Sequence, residues 1–160
     1  MLIEVRVKNL AFDLSKSGAM VFLEEMNGKR VLPIWIGIFE ANAIALELRK
    51  ISTARPMTHD LILNIIRGLE AEATKIVVTE LKDNTFYATI YINTKEGEVM
   101  IDSRPSDAIA VALRVGTPIY VVDEVIEQAG RSEETKADDK TEDFMEWLEK
   151  LDPDDFKYKT

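Results

Sequence analysis

Two short stretches hold most of the side chains able to do chemistry: RPMTHD at 55–60 and DSRPSD at 102–107. Asp102 closes an apolar strand and Asp107 lies one helical turn further on, so the two carboxylates can converge on a divalent cation. Arg104 between them can hold phosphate oxygens, and a helix N-terminus adds backbone donors. His59, the single histidine, can serve as general acid–base or metal ligand near neutral pH. Asp60 stands beside it and Arg55 just upstream. Glu40, soon after Trp35-Ile36-Gly37, is a further acid near a helix start. The same residues are also good helix starters. Ser103 or Ser106 can cap, Pro105 suits a first turn, and Asp107 and Glu40 favour the positive helix end. That account leaves Arg104 and Asp102 unexplained.

The elements that must position these groups follow from periodicity. Residues 2–14 alternate apolar and charged side chains, and the phase slips near Asn9, which predicts a bulge. SKSG turns the chain into a second strand, AMVFLEEM, and Asn27-Gly28 predicts a two-residue hairpin into RVLPIWI. GIFEANAIALELRKI carries apolar residues at 41, 44, 45, 48 and 51, a helical stripe that puts Glu40 and Glu47 on one face. A second helix is predicted from about His59 to Leu69, capped by Thr58. TKIVVTEL, TFYATIYI and EVMID then read as strands with turns at KDN and KEGE, and Tyr87, Thr89 and Tyr91 share one face as a contact surface. The helix carrying Ala108, Ile109, Ala110, Val111 and Ala112 is apolar all round and therefore buried, a rigid base for Arg104 and Asp107. It stops near Gly116; IYVVD is a last short strand and DEVIEQAG a helical turn. The sum is an α+β fold: mixed or antiparallel sheets from two hairpin-rich β3-α type halves packed around helices. An Arg-Pro helix entrance occurs in each half.

The organisation is one domain over residues 1–130 and an acidic linker with a C-terminal amphipathic helix over 131–160, where Phe144, Trp147, Leu148 and Leu151 fall at helical spacing. The chain carries a formal charge of −9, and six Lys/Arg face eleven Asp/Glu in the last thirty residues. An acidic chain is a poor default nucleic-acid binder, so such a role needs a locally basic site. No stretch is long and apolar enough to span a membrane, and MLIEVRV reads as a strand rather than a signal peptide. With no cysteine there is no disulfide or thiolate site, which suits the cytoplasm. A charged fraction of 31% without cysteine resembles a heat-adapted composition. There is no P-loop, dinucleotide fingerprint, zinc spacing or nucleophile elbow.

LPIWIGIFEANAIALEL (32–48), RPMTHDLI (55–62) and DSRPSDAIAVALR with PIYV (102–121) together resemble the bifunctional nuclease domain family over about residues 1–130. The resemblance implies an α+β domain that hydrolyses phosphodiester bonds in RNA and DNA without sequence preference, as a homo-oligomer, with a dimer the first expectation. It directs attention to His59, Asp60, Asp102 and Asp107 as catalytic groups and to Arg55 and Arg104 as substrate-binding groups. Asp102, Asp107 and Glu40 would hold Mg²⁺ or Mn²⁺, which would activate water. Two other readings stand beside it: a non-catalytic ligand-binding or protein-interaction module, and an enzyme of small phosphorylated metabolites.

Overall fold

The computed structural model describes residues 1–132. The amphipathic helix expected around Phe144–Leu151 lies outside the described residues. Strand β1 (Leu2–Asp13) runs through a single 3₁₀ turn, Leu14–Lys16, into β2 (Gly18–Glu25) and β3 (Arg30–Gly37). Two helices follow, α1 (Ile38–Leu48) and α2 (Thr58–Gly68). The second half contributes β4 (Glu72–Lys82), β5 (Thr85–Thr94), β6 (Gly97–Ser103), α3 (Pro105–Val115), β7 (Ile119–Val122) and α4 (Asp123–Ala129). A two-residue strand, β8 (Arg131–Ser132), was not legible in the pattern.

The two halves share one mixed sheet of eight strands, ordered β6-β5-β4-β7-β1-β2-β3-β8. β7 makes the join. It pairs parallel with β4 through Ile76–Val78 and antiparallel with β1 through Leu2–Val5. The phase slip in β1 is a register shift between Val7 and Asn9 against β2. Helices α1 and α3 touch one another, α1 lying on β1–β3 and α3 on β4 and β5, while α2 packs on α3 and β4. α4 touches both β3 and β4, four places apart in the sheet, so the sheet bends around it.

Two local expectations are corrected. Neither Asn27 nor Gly28 adopts the positive φ of a two-residue hairpin. The chain instead makes a longer loop in which Glu25 folds back to accept hydrogen bonds from Arg30 N, at 3.1 Å, and Arg30 Nε, at 2.8 Å. Gly28 allows the loop to pass: a Cβ there would lie 1.9 Å from Glu25 Oε2. The tight hairpin occurs at Asp83-Asn84, with φ of 50° and 60°, as a primed turn requires. Likewise Met57, not Thr58, is the cap residue of α2, and the Asp60 carboxylate accepts the Met57 N–H at 2.9 Å.

Helix α3 is the anchor. Ala108, Ile109, Ala110 and Val111 are wholly buried, and its small residues let α1 and α2 approach. Burial of a side chain such as Ile109 is worth roughly 1.5–3 kcal/mol. Gly116, at φ 78°, ends the helix in the left-handed conformation that glycine adopts without penalty. Packing of α3 against both α1 and α2 fixes how these three helices lie relative to one another. At the sheet's outer edge, β6 carries Val99, Met100 and Ile101 exposed. Among the described residues no helix is long and apolar enough to cross a membrane.

Candidate active site at the two helix entrances

Pro105 occupies the first turn of α3 and leaves Arg104 as its cap residue in extended backbone. From there the guanidinium reaches two acids. Arg104 Nε donates to Asp107 Oδ2 at 2.9 Å, and Arg104 Nη2 donates to Glu40 Oε1 at 2.8 Å. Asp107 divides its oxygens, because Oδ1 lies 2.8 Å from His59 Nε2. The chain Glu40–Arg104–Asp107–His59 therefore links the first turns of α1, α3 and α2. Glu40 first and then Asp107 raise the Arg104 pKa above the ordinary guanidinium value by their hydrogen bonds. The cation stays charged at every relevant pH.

Burial differs sharply along this chain. His59 is buried, at 7% exposure, whereas the Arg104 side chain is 65% exposed. When Nε2–H donates to the Asp107 carboxylate, the neutral imidazole has its lone pair on Nδ1. Nδ1 has no hydrogen-bond partner among the described residues. A carboxylate holding one imidazole nitrogen so that the other can take a proton is a recurring arrangement for acid–base work. Gly37 makes room for the fourth member: a Cβ there would lie 2.3 Å from Glu40 Oε2.

The other candidates go elsewhere. Asp60 bonds the other end of α3, where its Oδ1 accepts from Arg114 Nε of the last turn at 2.7 Å. Arg55 lines a cleft with Asp60 and Arg114 rather than joining Arg104. Asp102 is exposed on β6, opposite Thr89, and its carboxylate makes no hydrogen bond or ion pair among the described residues. The carboxylates Glu40, Asp102 and Asp107 do not fit a shared divalent ion as placed. The Arg104 guanidinium stands between Glu40 and Asp107, and among the described residues no three of His, Asp and Glu form a group able to hold a metal. Residue types and spacing do not mark Arg114 or Gly37 as members of a site. The one charged side chain in the otherwise apolar run of α3 was the available signal for Arg114.

The fold and the site define an α+β domain with a charged network strung across converging helix starts. The chain belongs to the bifunctional nuclease domain family, whose model matches residues 21–134. Two uncharacterized proteins of Mycobacterium tuberculosis, from strains H37Rv and CDC 1551, are each 41% identical over 163 positions, covering 96% of this chain and 98% of theirs. A protein of Oryza sativa subsp. japonica named bifunctional nuclease 1 is 26% identical over 112 residues, covering 68% of this chain and 34% of the plant protein.

Proposed function

We propose that this chain hydrolyses phosphodiester bonds in RNA and DNA, without sequence preference, at the His59–Asp107–Arg104 cluster. The observation that carries the reading is the 2.8 Å contact between His59 and Asp107, which joins the first turns of α2 and α3. Family membership and the name of the plant relative support it. Because DNA lacks a 2′-hydroxyl, the nucleophile common to both substrates is water. His59 Nδ1 takes a proton as water oxygen attacks phosphorus, the P–O bond to the sugar breaks, and the imidazolium returns the proton to the leaving oxygen. Asp107 orients the ring and offsets its transient charge. Arg104, the exposed cation, neutralises phosphate oxygens as charge develops, and Glu40 aims it. Assembly as a homodimer through the apolar β6 edge and work in the cytoplasm belong to the same proposal.

One observation favours the rival reading of a non-catalytic binding module. Glu40, Asp107 and Asp60 are all paired with arginines, so the network would also serve to pin three helices together. Purified protein incubated with labelled single-stranded RNA and DNA separates the two. The hydrolytic reading requires cleavage that co-purifies with the protein and is lost in a folded His59→Ala variant. Cleavage that fades with purification decides for the module, whereas co-purifying cleavage that persists undiminished in that variant removes His59 from the reaction.

A further inference from the structure

The chain between α1 and α2, with Asp60 of α2 and Arg114 of α3, walls a cleft of about 470 Å³. This lies within the range of roughly 300–1,000 Å³ typical of small-ligand sites. Its polar lining includes Lys50, Ser52, Thr53, Arg55, Asp60 and Arg114. Arg114 is the unusual member. Its side chain is only 3% exposed. Nε is spent on Asp60 and Nη1 on the Ala110 carbonyl, at 2.9 Å, while Nη2 donates to no group among the described residues. A guanidinium held in place by Nε and Nη1, lining a cleft with Nη2 free of acceptors among the described residues, can offer that nitrogen to a ligand anion.

The remaining charges set the sign of that acceptor. Of the two acids on the lining, Asp60 already binds Arg114 and the Met57 N–H, leaving Glu47 as the opposing charge. Lys50 and Arg55 have no ion-pair partner among the described residues. Hydroxyls of Ser52 and Thr53 sit beside them, the latter donating to the Arg55 carbonyl at 2.8 Å. Planar arginine forks, a lysine and hydroxyls are a set suited to phosphate oxygens. In a chain of charge −9, this is also the locally basic ground that a phosphate ligand needs.

We propose that this cleft is a second phosphate-binding site, separate from the His59 cluster, with Arg55, Lys50 and Arg114 Nη2 as its donors. The phosphate comes either from a strand that also reaches His59 or from a free nucleoside monophosphate. Only the strand version rests on the hydrolytic reading; the site itself does not.

Amide and arginine side-chain resonances of ¹⁵N-labelled full-length protein, titrated with inorganic phosphate, test the site directly. Saturable shifts at residues 50–55 and at the Arg114 side chain are expected. Arg55→Glu and Lys50→Glu, both at exposed positions, should each weaken them about tenfold, the worth of a charge-assisted hydrogen bond. Adenosine 5′-monophosphate and an oligothymidylate lacking terminal phosphates then identify the source. Shifts with the oligonucleotide assign the strand; shifts with the monophosphate alone assign the free nucleotide. Absence of shifts in the cleft with all three probes overturns the proposal, as do shifts that neither charge reversal weakens. If His59→Ala cleaves like the unaltered protein while phosphate still shifts the cleft, the hydrolytic reading falls and the phosphate site stands.

Discussion

His59 Nε2 and Asp107 Oδ1, 48 residues apart in the chain, meet at 2.8 Å and so lock the start of α2 to the start of α3. One consequence is chemical. Asp107→Asn keeps the shape but offers His59 an amide in place of a carboxylate, which removes the preference for the Nδ1 lone pair. Cleavage of RNA and DNA should fall about 10²- to 10⁴-fold in Asp107→Asn and in His59→Ala, the usual worth of a positioned acid–base group. Initial rates measured alongside circular dichroism distinguish lost chemistry from lost fold. A folded Asp107→Asn protein at full rate would remove His59 from the mechanism.

Gly37 acts through Glu40. A methyl group at Gly37 meets the far end of the Glu40 side chain, not backbone, so the fold can tolerate it by moving the carboxylate. Gly37→Ala should therefore leave the melting temperature nearly unchanged while releasing Arg104 and raising KM for nucleic acid. An unaltered KM would mean that Glu40 does not position Arg104.

The metal dependence implied by the family resemblance is open to a direct measurement. Since Arg104 fills the space between Glu40 and Asp107, chelation by EDTA should leave the His59-dependent rate intact. Abolition by EDTA with recovery on adding Mn²⁺ would instead show that Arg104 swings out and the carboxylates take a metal.

Glu25 ties the β2–β3 loop to α4, because Arg30 Nη2 bonds both Glu25 Oε1, at 2.5 Å, and Asp123 Oδ1, at 2.9 Å. The Arg30 hydrogen bond outweighs burial and lowers the Glu25 pKa below the ordinary glutamate value. A lowered folded-state pKa means that this stabilisation is full above the unfolded-state value and is lost as pH falls through the folded one. Glu25→Gln should lower the melting temperature at neutral pH and flatten its decline under acid conditions. Parallel melting curves for the two proteins at all pH values would contradict this.

The β6 edge exposes Val99 (41%), Met100 (66%) and Ile101 (46%), and an apolar outer strand is a template for pairing with another chain. Light scattering after size exclusion should give a dimer for the unaltered protein and a monomer for Met100→Lys combined with Ile101→Lys. An unaltered protein that runs as a monomer ends the dimer proposal.

Alternation along β1, β4 and β5 and the all-apolar run of α3 made the elements readable from residue order alone, as did the phase slip at Asn9, because each rests on side chains a few positions apart. The loop at Asn27-Gly28 was misread for a physical reason: Glu25 draws that loop inward to bond Arg30, and local turn preference yields to an ion pair.

The site divides in the same way. Residue types and spacing alone marked His59, Asp60, Arg104, Asp107 and Glu40 as reactive and placed each near a helix start. Which of them meet was settled only when β7 joined the two halves into one sheet and α3 packed between α1 and α2. That packing gave Asp107 to His59, sent Asp60 to Arg114 and left Asp102 in solvent. Contacts across 48 or 54 residues depend on how buried surfaces stack, and no short-range pattern encodes them.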